Sequence, residues 1–335
     1  MNSENYNKLR YEQLPWSEKY RPTRVEELYL DDKLKSRINY FAENKFIPNL
    51  ILDGPSGVGK SITIKCLARS LYGEYVNKGI LEMNASDGGV KFLHDEIVNF
   101  CKNKMTYKKI DEGKYADFKL VIIEAGDNMD EGKVQPQINS IMEQYKKTVK
   151  FVFTCNRSSH LLEAIQSRCL ILTYTRLSSD LTSEKLRSIC QLEKIKCENL
   201  ALTQISELSR GDMRRAINML QLVYNKKGEI KLEFIGDLCD LPQQTVIKGL
   251  FNAVLKKDLQ TAFSVMTQLK QSGYSGSDII LGMIHTLKSD TCEDISEKDK
   301  INMFRNICFA SYRISKGTDS KLQLFSCVTD MVSSM

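Results

Sequence analysis

No two of the ten cysteines in this 335-residue chain stand in C-x-x-C spacing, and only three histidines are present to complete a metal site. Zinc ligation is therefore not expected. The opening stretch MNSENYNKLRYEQLPW has no apolar run long enough for a signal peptide, and no later stretch has the length to span a bilayer. A reducing, intracellular setting is expected, with the cysteines serving as small core residues. Proline (6) and glycine (18) are sparse, while 42% of residues are apolar and 27% charged. That balance excludes a disordered chain and describes a folded, soluble, helix-rich one. Neither internal repeats nor low-complexity segments occur. The formal charge of +6 is compatible with nucleic-acid contact without demanding it.

The length calls for two or three domains. Residues 1–14 read as a flexible polar tail. Pro15–Pro22, reading PWSEKYRP, mixes aromatics, charges and two prolines and is expected to be an ordered, non-helical arm. From there to Tyr174, short apolar runs alternate with amphipathic stretches. Leu50–Leu52, Leu81–Met83, Lys119–Ile123, Phe151–Thr154 and Leu170–Tyr174 read as strands, and Ser61–Tyr72, Phe92–Lys104 and Gln137–Tyr145 as helices. This alternation predicts a mostly parallel, doubly wound α/β sheet over 15–174. After Tyr174 the strand signal stops. Helical periodicity follows over Thr182–Glu193, Thr203–Ser209 and Met213–Tyr224, with Ser183 and Asp212 as expected N-caps. Five more helical runs occur beyond Leu241: Thr245–Leu255, Leu259–Ser272, Gly276–Lys288, Lys298–Ser315 and Lys321–Val332. The fold class is thus α/β followed by all-α, with helical domains over 175–240 and 241–335.

Between the first strand and the first long helix stands Gly54-Pro55-Ser56-Gly57-Val58-Gly59-Lys60-Ser61, a full match to G-x-x-x-x-G-K-[ST]. Glycines there let backbone N–H groups curl around phosphates, and the helix N-terminus adds its dipole. Lys60 would reach the β- and γ-phosphates of ATP, and the Ser61 hydroxyl would ligate Mg²⁺. A working site also needs acidic groups at the end of a second buried strand, and Lys119–Ile123 runs into Glu124-Ala125-Gly126-Asp127. Glu124 can hold the Mg²⁺ shell. Ala125 cannot polarise a water where a glutamate often does so, which predicts ATP binding with poor hydrolysis. Alternatively, Glu124 or Asp127 covers both tasks with shifted geometry.

Several further motifs, in order, resemble those of the replication factor C small subunits, the AAA+ clamp-loader family. Pro15–Pro22 resembles their P-W-x-E-K-Y-R-P box, and Glu82-Met83-Asn84-Ala85-Ser86-Asp87 their E-L-N-A-S segment. Asn156 matches the sensor 1 position, Ser167-Arg168-Cys169 the S-R-C motif, and Gly211-Asp212-Met213-Arg214 sensor 2 on the helical lid. Arg313-Ile314 and Leu322-Gln323 echo the C-terminal collar, so the resemblance runs from about residue 15 to the end.

The resemblance implies an AAA+ sheet domain, a helical lid and a helical collar used in oligomerisation. It also implies assembly with other replication factor C subunits as a hetero-pentamer, and work in the nucleus on the sliding clamp (PCNA) and primer–template DNA, without a membrane. Arg168 would act in trans as an arginine finger at a neighbour's site, and Arg214 and Asn156 would sense the γ-phosphate in this chain's own. The chain also departs from the pattern. Family members carry D-E-A-D where Glu124–Asp127 stand, and an Arg pair where Asn139-Ser140 stand. The segment after N-A-S shortens to Asp87-Gly88-Gly89, and His94 takes a basic, DNA-facing position. DNA contact in this family follows phosphates rather than bases. Lys91, Lys102 and Lys133 are candidates by position, which a solvated charged face explains equally well. Two other readings stand beside this one: a purely structural ring subunit, which Ala125 favours and the intact Lys60-Ser61 and Arg214 oppose, and an unrelated AAA+ remodeller or a P-loop kinase, the kinase being opposed by the S-R-C motif and the helical tail after Leu241. No N-K-x-D guanine motif is present.

Overall fold

The structure is a computed structural model describing residues 14–86, 90–103, 115–238, 244–288 and 295–334. The tail before Leu14, the Asp87-Gly88-Gly89 turn, the side chain of Lys91, and the expected boundary at 240/241 lie outside the described residues. Two compact units divide the chain, Met1–Ile230 and Lys231–Met335.

In the first unit a one-turn helix α1 (Trp16–Lys19) and helix α2 (Asp32–Asn44) precede the sheet. Strand β1 (Leu50–Asp53) leads into α3 (Lys60–Tyr72), and the short α4 (Val76–Gly79) into β2 (Ile80–Asn84). Next come α5 (Val90–Lys102), β3 (Lys119–Glu124), α6 (Val134–Gln144), β4 (Val149–Cys155), α7 (Glu163–Gln166) and β5 (Leu170–Thr173). The five strands form one sheet in the order β2-β3-β4-β1-β5, every pairing parallel. β3 and β4 are buried along nearly their whole length, as strands with both faces covered must be, and this is why they read as continuous apolar runs. One face packs Leu50, Leu52, Leu120, Ile122 and Val152 against Ile64, Leu67 and Leu71 of α3. The other packs Ile51, Val121, Ile123, Phe151 and Phe153 against α5 and α6. Parallel pairing sets Asp53 beside Cys155, and Ile123 beside Phe153. The loops leaving β1, β3 and β4 therefore open at one edge, where open α/β sheets bind ligands.

Three helices complete this unit: α8 (Ser179–Leu192), α9 (Asn199–Ser209) and α10 (Met213–Lys227). Asp212 caps α10 as expected, its carboxylate accepting from Arg215 N at 2.9 Å. Ser183 does not cap α8. Its hydroxyl donates to Asp180 O within the helix, and Ser178, five residues earlier, accepts from Leu181 N instead. Asp180 already fills the first turn, where its charge favours the dipole, so the helix starts earlier than its apolar face does.

The arm is also corrected, because Trp16–Lys19 is a helical turn. Pro15 precedes it at φ −54°, where its ring needs no adjustment, and Pro22 comes after the turn has ended. Helix α2 lies outside the alternation read from sequence. Only Leu34, Ile38 and Phe41 are buried along it, a stripe thin enough to pass unnoticed among polar residues.

The arm is stitched to the three-helix group. Trp16 is buried against Tyr224, ring centroids 5.4 Å apart, and its backbone N–H donates to Gln221 Oε1 at 3.0 Å. Glu193 accepts from Lys19 Nζ at 2.6 Å and from Tyr20 Oη. Burial alone would raise the Glu193 pKa, but the hydrogen bonds from Lys19 and Tyr20 outweigh it and hold the carboxyl below its usual range. The same hydrogen bond raises Lys19 despite its partial burial.

The second unit holds α11 (Leu232–Leu238), α12 (Gln244–Leu255), α13 (Leu259–Gln271), α14 (Gly276–Lys288), α15 (Glu297–Ser315) and α16 (Ser320–Ser333). Its own core gathers Leu250, Phe251, Met266, Met283, Met303, Ile307 and Val328. None of the helices among the described residues is long and apolar enough to cross a membrane.

The Lys19–Glu193 tie sets a pH window. A carboxyl with a lowered folded pKa contributes stability above its unfolded value, near 4.3, and loses it as pH falls through the folded value. A lysine with a raised pKa loses its contribution as pH rises through the folded value, above about 10.4. Glu193→Gln is expected to cost roughly 1–2 kcal/mol at neutral pH. Denaturant titrations of both proteins should show that gap flat between these limits and closing outside them.

Candidate functional site

The turn joining β1 to α3 runs through backbone that other residues resist. Gly57 sits at φ +75° and Gly59 at φ +100°. A β-carbon on Gly57 would lie 2.0 Å from Asp212 Oδ1, and one on Gly54 would lie 2.3 Å from Tyr174 O. Curled this way, successive N–H groups face inward at the N-terminus of α3, an arrangement suited to anions. Lys60 opens the helix. Its ammonium donates back to Gly54 O at 2.5 Å and Pro55 O at 2.7 Å, with Asn156 Oδ1 at 3.3 Å. Burial pulls the Lys60 pKa below the usual lysine range, partly offset by nearby Cys155, Asp127 and Asp53. A half-buried cation held by neutral carbonyls gains much from an anion placed beside it.

This turn forms the floor of a cleft of about 330 Å³. Ser56, Gly57, Val58, Gly59, Lys60 and Ser61 line it, and so do Glu124, Asn156 and Arg214. The structure therefore gathers most of the residues singled out in the sequence. Gly54 and Pro55 stand beneath the cleft and meet Lys60 through their carbonyls rather than lining it. Arg168 is also absent from the lining. Its guanidinium contacts Ala164 O at 3.1 Å and Glu143 Oε2 at 3.4 Å, and its side chain is 38% exposed.

Two acidic oxygens test whether Mg²⁺ and phosphate suit the site. Glu124 Oε1 and Asp127 Oδ1 are buried without a hydrogen-bond partner, and both residues line the cleft. Buried anionic oxygens left in this way are costly, and a divalent cation or its bound water would satisfy them. Ser61 stands in the same cleft with a hydroxyl of the right type. The donor set fits the group. Asp127 is held by its other oxygen, which accepts from Asn156 N at 3.3 Å. Ala125 sits between the two acids at φ +53°, its N–H donating to Thr154 Oγ1 at 3.3 Å, and brings only a methyl group to the cleft.

Sequence reading missed the other wall. Tyr20 and Pro22 of the arm, with Leu28, Tyr29 and Leu30, also line the cleft, as does Lys185 of α8. Lys185 lies over the Tyr29 ring at 5.2 Å, and burial lowers its pKa, partly offset by Glu27. An apolar wall with a few polar groups is what a planar heterocycle requires. The PWSEKYRP segment carried a signal for this in its ordered, aromatic composition, but no spacing rule assigns it to a cleft. Among the proposed DNA-facing residues, Lys102 and Lys133 are exposed. His94 lies 3.2 Å from Asp95 Oδ1 and is only partly exposed.

A parallel five-stranded sheet, a phosphate-type turn at the end of β1 and a helical group closing on that turn define a P-loop protein of the AAA+ class. The AAA family of ATPases associated with various cellular activities matches residues 50–177, the RCF1/5-like AAA+ ATPase lid domain 184–224, and the replication factor C C-terminal domain 242–330. A probable replication factor C subunit 2 from Dictyostelium discoideum is 34% identical, over 93% of this chain and 90% of the relative. Replication factor C subunit 4 from Saccharomyces cerevisiae is 32% identical over 94% of each, and a putative replication factor C small subunit from Acanthamoeba polyphaga mimivirus is 32% identical over 95% and 97%. The chain belongs to the replication factor C small-subunit family. In fold alone, the RuvB Holliday junction branch migration motor of Thermotoga maritima is similar, with a TM-score of 0.53 at 17% identity over 69% of this chain and 79% of that one.

The Gly57–Asp212 approach is directly testable. Gly57→Ala adds a β-carbon at positive φ that also drives into the α10 cap, a strain of about 1–3 kcal/mol. Titration with a fluorescent ATP analogue should show affinity reduced by about ten- to a hundredfold, with the sheet domain still folded by circular dichroism.

Proposed function

We propose that this chain is an ATP-binding small subunit of a replication factor C-type clamp loader. In that role it helps open the sliding clamp (PCNA) and place it on primer–template DNA. The observation that carries the reading is the division of arginines: Arg214 lines the cleft with Lys60, whereas Arg168 is exposed outside it. An arginine so placed stands outside its own chain's cleft, and by the family resemblance it would serve a nucleotide held by another subunit.

Within the chain's own cleft, Lys60 would pair with the β- and γ-phosphates as they displace the carbonyls of Gly54 and Pro55. Arg214, beside the cap that touches Gly57, would bring positive charge from the lid and so report phosphate occupancy to the helical group. Asn156, tied to Lys60 and Asp127, would orient the γ-phosphate end. Ser61 and Glu124 would hold Mg²⁺, which when bound screens the phosphate charge. Ala125 leaves the chain without a carboxylate at the water-polarising position, so its own hydrolysis is expected to be slow. Asp127 is tied by one oxygen to Asn156 N, which limits it as a substitute.

We assign 15–174 to the nucleotide domain, 175–240 to the lid, and 241–335 to the collar that joins the chain to other replication factor C subunits in a hetero-pentamer. In support, α15 carries Ile301, Phe304, Phe309 and Tyr312 as exposed apolar side chains, a run suited to a partner helix. The setting is the nucleus. A purely structural role is disfavoured, because loss of the water-polarising carboxylate leaves every phosphate-binding group in place.

Reconstitution with partner subunits tests the proposal. Arg168→Ala should leave ATP binding by this chain within about twofold of wild type, while turnover at the adjoining site falls by about a thousandfold. Loss of this chain's own binding with unchanged turnover next door would contradict it.

A further inference from the structure

One cation stands behind the cleft wall rather than in it. Lys65 is on α3, five residues past Lys60, and its side chain reaches the middle of β2 and the end of β3. Register places Glu82 opposite Ile122 and Asn84 opposite Glu124. Alternation along the strands then puts Glu82 and Glu124 on the same face of the sheet, one diagonal step apart. Lys65 Nζ lies 2.8 Å from Glu82 Oε2 and 3.5 Å from Glu124 Oε1. The second distance is too long for a good hydrogen bond, but it is close enough for charge. The Glu124 oxygen facing Lys65 is one of the two buried oxygens without a hydrogen-bond partner. With 24% of its side chain exposed, Lys65 is also partly shielded from solvent.

We propose that Lys65 is a positioning residue that sets how strongly this site depends on a divalent cation, by sharing its charge between Glu82 and Glu124. The proposal rests on the nucleotide-site reading above. In the absence of a divalent cation, Lys65 offsets the repulsion between the Glu124 carboxylate and an incoming triphosphate. With a divalent cation present, the same ammonium weakens the pull of Glu124 on that ion. Both effects act in one direction: nucleotide affinity varies less with Mg²⁺ than it would without Lys65. Glu82 acts against this by drawing Lys65 to itself at the shorter distance, so the three residues form a balance with Glu124 on one arm.

The two arms give the test its signs. Equilibrium titration of the full chain with a fluorescent ATP analogue, in EDTA and in saturating Mg²⁺, yields the ratio of the two dissociation constants. Lys65→Met keeps the length and removes the charge, and should raise that ratio about tenfold. Glu82→Gln frees Lys65 for Glu124 and should lower the ratio by about threefold. Lys65→Arg should stay near wild type. Loss of packing alone would weaken binding in both conditions and leave the ratio unmoved. Because Glu82 is 45% exposed, its variant remains informative even if Lys65→Met fails to fold. Ratios that shift in the same direction for Lys65→Met and Glu82→Gln, or in neither, overturn the role of Lys65 while leaving the nucleotide site intact. Absence of wild-type binding in Mg²⁺ overturns the site reading and this inference with it.

Discussion

Three glycines of the 54–59 turn, at φ +147°, +75° and +100°, impose the constraint on which the site depends. Only residues without a β-carbon adopt that run of angles cheaply, and with them the backbone donors at the start of α3 face a common point. The same angles bring Gly57 O within 3.1 Å of Met213 N, so the first turn of the lid helix is docked on the phosphate turn itself. A bulkier residue at 57 would separate lid from turn before it disturbed either one's own fold. Arg214 reaches the cleft because it follows this contact by one residue.

Charge in the cleft is arranged around that turn. Lys60 is half-buried and held by neutral carbonyls, while Glu124 and Asp127 each carry a buried oxygen without a hydrogen bond. Cation and anions are thus kept partly unsatisfied at close quarters, an arrangement that costs stability in the free protein and favours a ligand carrying both signs. ATP with Mg²⁺ has that composition. The arm contributes differently: Trp16 and Lys19 anchor it to α10 and to the end of α8, and its tyrosine and proline then line the cleft.

The legible part of the sequence was the part set by local rules. Strands β1, β3 and β4 declared themselves as apolar runs because both faces are covered. The phosphate turn was explicit in its glycines and lysine, and Asp212 was readable as a cap three residues before the N–H it accepts. What escaped depends on tertiary contact. Pro15 and Pro22 suggested irregular backbone, yet the turn between them folds against Tyr224, a partner more than two hundred residues away. Ser183 was read as the cap of α8, but the cap stands five residues earlier at Ser178, with Asp180 filling the first turn. Lys65 is an ordinary helix lysine until β2 and β3 place two glutamates beside it. Arg168 could be assigned a role only through family resemblance, since its own surroundings are an exposed carboxylate and a carbonyl.

The central claim is that this cleft holds ATP through Lys60. Calorimetric titration of the full chain with ATP and Mg²⁺ tests it most directly, with Lys60→Ala alongside. The account predicts one saturable site in the wild type and its loss in the variant, with unfolding curves unchanged in the absence of nucleotide. Absent wild-type binding, or equal affinity in the two proteins, would contradict it.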